Sequence, residues 1–287
     1  MIRVAFSTNA FKKNTLAEAI AAIAAIGYRG VELMADVPHA YPHALDAGER
    51  TELKKHLATL GLSVSNINAF TLFAEGDTYH PTWIDADPAK RDIRIRHTLD
   101  CIDLAADMDS PTISLQPGGP LIGSDLSRGD AAIRFADGLR QVLPRAHQRN
   151  ITLAIEPEPG LLIQTAAEYL EFKTTFFHDE PAVRMNCDIG HLFCVEEDPA
   201  DVIRAMPREI AHVHLEDIGE NRVHQHLTPG KGAIDFPSIF AALDDIRYSG
   251  WVTVELYPYE TTAAGVAAAA WNYLQPMLQM ASAPRRP

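Results

Sequence analysis

Cysteine is scarce and poorly spaced for structural use. The chain has three, Cys101, Cys187 and Cys194, an odd number with no CxxC pair. That pattern argues against a disulfide framework or a structural zinc site, and a reducing cytoplasm is the expected compartment. Long apolar runs are missing as well. Nothing approaches the roughly 18 consecutive residues of a membrane span, and the opening "MIRVAFSTNAFKKNT" lacks the basic segment and apolar stretch of a secretory signal. Positive charge is also short, with 25 Lys and Arg against 38 Asp and Glu and a formal net charge of −13. An acidic surface works against binding nucleic acid or an anionic membrane, so neither is expected as a partner. No Ser/Gly/Pro-rich linker divides the chain, and no GxGxxG follows the first apolar run, where a dinucleotide-binding sheet would carry it.

What is present is repetition. Eight short, β-branched runs alternate with segments of helical period: "RVAFST", "GVELM", "SVSNIN", "TISLQ", "TLAIE", "RMNCD", "AHVHLE" and "VTVEL". Helices are expected over 16–26, 49–60, 89–106, 131–148, 165–176, 199–206, 237–246 and 263–280. Eight βα units in 287 residues, 47% of them hydrophobic, predict a single (β/α)₈ TIM barrel rather than an open doubly wound sheet. Residues 1–281 form that one domain in this reading, and 282–287, "SAPRRP", form a disordered tail. Two long connections, "AFTLFAEGDTYHPTWIDADP" after strand three and "DIGENRVHQHLTPGKGAID" after strand seven, have the character of lids or binding loops.

The chemistry-bearing residues gather at strand ends. Strand five ends in Glu156, strand six in Asp188, strand seven carries His214 and strand eight carries Glu255. In a barrel these C-terminal ends are neighbours on the face where active sites lie. Three carboxylates crowded together repel one another and bind protons, and a cation relieves both effects. With one imidazole they make an oxygen-rich site suited to Mn²⁺, Mg²⁺ or Co²⁺ and open to Zn²⁺. His212, two residues deeper on the same strand face, is the competing reading for His214.

"IEPEP", "CDIGH", "HVHLED" followed by "HLTPGKGAIDF", and "VTVELYP" occur in order on successive strands. Together they resemble the xylose-isomerase-like TIM barrels, which include ketose 3-epimerases, hydroxypyruvate isomerases, and inosose isomerases and dehydratases. The resemblance implies one divalent ion held by Glu156, Asp188, His214 and Glu255, with Glu156 and Glu255 exchanging substrate protons from opposite faces. It gives His191 a hydrogen bond to a substrate oxygen and Glu158 a place against substrate. Arg222, His226, Phe70 and Trp83, from the two long loops, are further candidates for substrate contact. Asp217 and His226 form a candidate loop-ordering pair, and "PGKG" is a candidate phosphate loop.

The implied activity is isomerisation or epimerisation of a sugar, keto-sugar or cyclitol, with proton transfer through a metal-bound enediolate. The alternatives are dehydration of an inosose-like or dehydroshikimate-like polyhydroxy ketone, or a barrel that binds carbohydrate without turnover. The resemblance also implies a homodimer or homotetramer. Endonuclease IV, another relative, is disfavoured. Its histidines at the ends of strands three and four are replaced here by "NINAF" and by Gln116, and its Asp-x-His pair by His224-Gln225-His226.

Overall fold

In the computed structural model, which describes residues 2–123 and 125–281, the eight apolar runs close on themselves. The strands are β1 (Arg3–Ser7), β2 (Gly30–Met34), β3 (Ser63–Asn68), β4 (Thr112–Leu115), β5 (Thr152–Ile155), β6 (Val183–Asp188), β7 (Ile210–Leu215) and β8 (Trp251–Val254). Each pairs in parallel with its sequence neighbours, and β8 returns to β1 through Arg3↔Trp251 to Phe6↔Val254. The protein is a single (β/α)₈ TIM barrel. The proposed tail at 282–287 lies outside the described residues.

The principal helices are α1 (Leu16–Ile26), α2 (Ala47–Thr59), α3 (Pro88–Asp107), α4 (Arg128–Arg149), α5 (Ala166–Phe177), α6 (Ile189–Cys194), α7 (Pro199–Ala205), α8 (Phe236–Asp245) and α9 (Ala263–Ala281). Their starts are written locally. Thr15 and Asp46 each form a capping box with a glutamate three residues on, Glu18 and Glu49. Ser127, Thr165 and Asp198 cap α4, α5 and α7 through their side-chain oxygens. The short α6 was not among the expected helices. It begins where Asp188, the last residue of β6, caps it by accepting from the His191 backbone N–H at 2.8 Å.

The main core lies between barrel and helices, where Phe6, Val31, Leu33, Val64 and Val213 meet residues such as Ile20, Ile23, Ile102, Phe135 and Leu243. The barrel interior is different, because Glu32, Ser65, Asn66, Asn68, Ser114, Asn186, His212, His214 and Thr253 are all buried there. Buried polar groups need partners, and these find one another: Ser65 Oγ lies 3.0 Å from Thr253 Oγ1, and Thr112 Oγ1 donates to Asn66 Oδ1 at 2.7 Å. Register shifts between Val31 and Glu32 against β3, and between Met185 and Asn186 against β7, put an extra residue into the neighbouring strand. Such irregularities re-aim side chains, and these two sit beside Glu32 and Asn186, both of which bond the cluster at the C-terminal face.

Candidate metal centre

The strand ends bring Glu156, Asp188, His214 and Glu255 together: one ligand atom from each lies within 4.8 Å of the others, and all four residues are buried. Register explains the shared level. Asp188 pairs with His214 across β6 and β7, while Glu156 and Glu255 stand one residue past β5 and β8. Their backbones still continue the ladder, with Glu156 N–H donating to Leu115 O at 3.0 Å and Glu255 N–H to Leu215 O at 3.1 Å.

Each of these side chains is pinned from behind. Glu255 Oε1 accepts from Asn9 Nδ2 at 2.8 Å and from Asn68 Nδ2 at 3.0 Å. Glu156 Oε2 accepts from Asn186 Nδ2 at 2.9 Å. His214 turns Nε2 to Glu32 at 2.7 Å and leaves Nδ1 facing the other three, 3.0 Å from Glu156, 3.8 Å from Asp188 and 3.8 Å from Glu255. Metal-ligating histidines are oriented in this way, one ring nitrogen held by a carboxylate and the other turned toward the ligand set. Asp188 Oδ1 is occupied by the α6 cap, but Oδ2 is buried with no hydrogen-bond partner. An orphaned carboxylate oxygen is costly, and a cation among these donors would satisfy it. The donor set therefore fits a divalent ion.

Glu32, Asn9, Asn68 and Asn186 were not picked out in the sequence. A signal for Glu32 existed: a carboxylate in the middle of "GVELM", a run otherwise fit for burial, must have a partner.

The electrostatics fit a site built for positive charge. Burial alone would lower the His214 pKa, but Glu32, Glu156 and Glu255 lift it well above its ordinary value. Burial, reinforced by Glu156, Glu32 and Asp188 and opposed by His214, pushes Glu255 up to about 8. Burial would raise Asp188 too, yet His191, His226 and His214 hold it below the usual carboxylate range. Burial with Glu156 nearby takes Glu158 to about 7, against the pull of His191. His224 and His226 are lowered by burial to about 4 and about 3.

Glu156 and Glu255 open on a cavity of about 440 Å³ whose lining also includes Asn9, Lys12, Phe70, Phe73, Tyr79, Glu158, His191, His224 and Tyr257. Glu158 accepts from Tyr79 Oη at 2.9 Å, and His191 Nδ1 donates to the Pro157 carbonyl at 3.0 Å. His226 is buried beneath the lining, its Nδ1 2.9 Å from the Glu255 carbonyl.

Two expected contacts lie elsewhere. Trp83 is buried under the loop against Phe135, in space left by Gly138, where a Cβ would come within 2.8 Å of the indole. Arg222 turns away from the cavity, stacks on Phe193 at 4.1 Å and donates to the Phe193 carbonyl. Nor do Asp217 and His226 pair. Asp217 instead accepts from the backbone N–H groups of Ile218, Gly230, Gly232 and Ile234. "PGKG", the candidate phosphate loop, thus already holds an anion, the Asp217 carboxylate.

Comparison with known proteins agrees with this architecture. Inosose dehydratase of Clostridium perfringens (strain 13 / Type A) is 26% identical over 264 residues, covering 85% of this chain and 83% of the relative. Inosose dehydratase of Erwinia tasmaniensis is 24% identical over 271 residues with the same coverage. Among solved structures, the IOLI protein with a binding zinc atom superposes with a TM-score of 0.80 at 16% identity, over 99% of this chain and all of that one. The 3-keto-D-glucoside 4-epimerase from E. coli gives 0.78 at 19% identity, over 96% and 100%; at these identities the likeness shows the fold. The family model for the xylose isomerase-like TIM barrel matches residues 20–276, and the chain belongs to that family.

Proposed function

We propose that the protein is a divalent-metal-dependent enzyme that forms an enediolate from a neutral polyhydroxy ketone, a keto-sugar or a cyclitol ketone. The observation that carries this reading is the convergence of Glu156, Asp188, His214 and Glu255 within 4.8 Å, with Glu156 and Glu255 lining the cavity. These four residues would hold the ion, and Mn²⁺, Mg²⁺ or Co²⁺ suits the donor set best, with Zn²⁺ also accommodated. A bound ion would supply Lewis-acid polarisation of the substrate carbonyl, which makes the neighbouring C–H more acidic.

The remaining work falls to side chains. Glu156 and Glu255 both reach the cavity lining, which supports their use as the acid and base that remove and return the proton. Asn9 and Asn68 hold the Glu255 carboxylate, and Asn186 holds that of Glu156, so neither must reorganise as it gains or loses a proton. His191 and Glu158 line the same cavity and are suited to bonding substrate hydroxyls. Phe70, Phe73, Tyr79 and Tyr257 would shield the reacting carbon from water.

Charge supports a neutral substrate. The lining offers carboxylates at Glu156, Glu158 and Glu255 and one cation, Lys12, which is already paired with Glu260 at 2.9 Å. Arg222 is spent on Phe193, and the glycine-rich loop is spent on Asp217. Among the described residues lining the cavity, no Lys or Arg is left to pair with a phosphate or carboxylate on the substrate.

Return of the proton to the opposite face gives epimerisation, and its return to the adjacent carbon gives isomerisation. Dehydration follows when a β-hydroxyl leaves instead. A specific observation favours this last branch as the second reading: the inosose dehydratases align over 85% of the chain. Glu158, fixed by Tyr79, is the group we assign to the departing hydroxyl in that case.

The test is hydrogen–deuterium exchange in D₂O with the metal-loaded protein and a panel of ketoses and inososes. Exchange α to the carbonyl should appear and should fall at least about a hundredfold in Glu156→Gln and in Glu255→Gln. NMR of the products separates epimer, isomer and dehydrated ketone. Unchanged exchange in both variants would sink the assignment, and metal binding with no exchange across the panel would favour a binding protein.

A further inference from the structure

The two amides that hold Glu255 are not equivalent. Asn68 uses both ends of its amide inside the protein: Nδ2 donates to Glu255 Oε1 and Glu32 Oε1, and Oδ1 accepts from the Phe70 N–H at 3.1 Å. Asn9 donates from Nδ2 to Glu255 Oε1 at 2.8 Å, but its Oδ1 is buried and has no hydrogen-bond partner among the described residues. Glu255 Oε1 accepts from both amides, which fixes Asn9 Nδ2 toward that oxygen and Oδ1 away from it.

The backbone leaves Asn9 little freedom to compensate. It lies in a 3₁₀ turn, Thr8–Phe11, that follows β1 and is tied to β2 where the Met34 N–H donates to Thr8 Oγ1 at 2.9 Å. Asn9 is only 7% exposed, yet it lines the cavity beside Glu255. Asn186, which holds Glu156, also has a bare Oδ1 but is not part of that lining. Of the three amides, Asn9 alone combines an unpaired acceptor with a place on the cavity wall. A buried acceptor left unpaired is costly, and a ligand that brings a donor to it removes the cost.

We propose that Asn9 Oδ1 accepts a hydrogen bond from a substrate hydroxyl on the Glu255 side of the reacting carbon, and so makes that hydroxyl a requirement for binding. This deepens the polyhydroxy-ketone reading and rests on it. One amide then joins the substrate to its proton acceptor, with Nδ2 on the carboxylate and Oδ1 on the hydroxyl. A site built to bond a hydroxyl rejects the analogue that lacks it, because the protein group is left unpaired. An amide oxygen takes only donors, so an ether, a carbonyl or a fluorine at that position fails as hydrogen does.

The experiment is calorimetry of the full-length, Mn²⁺-loaded protein with the unreactive polyols myo-inositol, xylitol and sorbitol and with their monodeoxy and deoxyfluoro derivatives, alongside deuterium exchange from the matching ketones. At one position, loss of the hydroxyl should weaken binding at least about tenfold, and fluorine should restore none of it. That comparison needs no variant. In Asn9→Ala the penalty at that position should shrink below twofold, whereas in Asn68→Ala, which also loosens Glu255, it should persist; circular dichroism checks both folds. The proposal is overturned if none of the polyols binds wild type, if no position costs more than twofold, or if fluorine replaces the hydroxyl without loss. A penalty that survives Asn9→Ala overturns it as well, and its disappearance in Thr71→Val would assign the contact to Thr71 Oγ1, the other buried, unpartnered atom on the described lining. An Asn9-dependent penalty without deuterium exchange keeps this subsite and removes the enediolate reading; exchange with an Asn9-independent penalty does the reverse.

Discussion

His214 Nε2 lies 2.7 Å from Glu32 Oε2, joining β7 to β2 across the barrel interior. The bond fixes the imidazole so that Nδ1 faces Glu156, Asp188 and Glu255. Glu32 is itself held by Asn66 at 2.9 Å and Asn68 at 3.2 Å. Burial would favour the protonated acid, but His214 and His212 keep Glu32 well below the usual carboxylate range. Outer partners of this kind commonly control metal affinity by about 10–100-fold. Glu32→Gln should therefore weaken Mn²⁺ binding by about that factor while circular dichroism stays unchanged. Calorimetric affinities within twofold of wild type would show that His214 does not need the carboxylate.

Gly190 stands between two of the site's supports. A Cβ there would lie 1.7 Å from Glu216 Oε1 and 3.0 Å from Ile218 Cγ1. Glu216 is fully buried behind Asp188, so it has little room to retreat. Gly190→Ala should displace the start of α6, which carries His191 and is capped by Asp188. We expect the loss to show first as metal affinity and only then as stability; equal affinity in the variant would mean the start of α6 adapts without moving Asp188.

Arg94, on α3 and fully buried, donates to the carbonyls of Pro81 at 2.8 Å, Ala69 at 3.2 Å and Phe70 at 2.9 Å. It ties both ends of the long β3–α3 connection to the barrel. Arg94→Leu leaves those carbonyls without donors, at a cost on the order of 2–3 kcal/mol. Denaturant midpoints should report that cost, together with faster protease cleavage between residues 70 and 82.

His97 gives a pH signature remote from the site. Burial, with Arg94 and His43 nearby, lowers its pKa well below the ordinary value, and its Nε2 lies 3.4 Å from Cys101 Sγ. The folded state keeps the ring neutral, whereas the unfolded chain takes up a proton below about pH 6.5. The unfolded state thus binds more protons, and stability falls as pH drops below that value. One such group contributes a slope of about 1.4 kcal/mol per pH unit. His97→Gln should reduce the slope between pH 6.5 and 5 by about that amount; an unchanged slope would mean that His97 does not resist protonation in the fold.

Tyr79 and Arg222 make a contrasting pair. Tyr79→Phe removes the hydrogen bond to Glu158 and should raise KM for the best ketone of the panel by about tenfold, the worth of roughly 1.4 kcal/mol. Arg222→Ala should leave KM within twofold, since that side chain stacks on Phe193 outside the cavity. A large effect of Arg222→Ala would place an anionic substrate group back in contention.

The sequence itself determined the eight-fold βα repeat and the four strand-end ligand candidates. Hydrophobic period is a local property, and a parallel barrel puts every strand's C-terminal end on one face. The capping boxes at Thr15 and Asp46 are equally local. Only the tertiary structure decided what surrounds those four residues. The pairing of Glu32 with His214, and the reach of Asn9 to Glu255 across 246 residues of chain, depend on which strands meet and on two register shifts. Side-chain direction in the long loops is likewise set by packing. Trp83 went to the space above Gly138 and Arg222 to the ring of Phe193 because burying an indole and stacking a guanidinium stabilise those positions. No spacing in "HPTWIDADP" or "IGENRVHQH" encodes where those partners will lie, since they come from distant segments that only the closed barrel brings within reach.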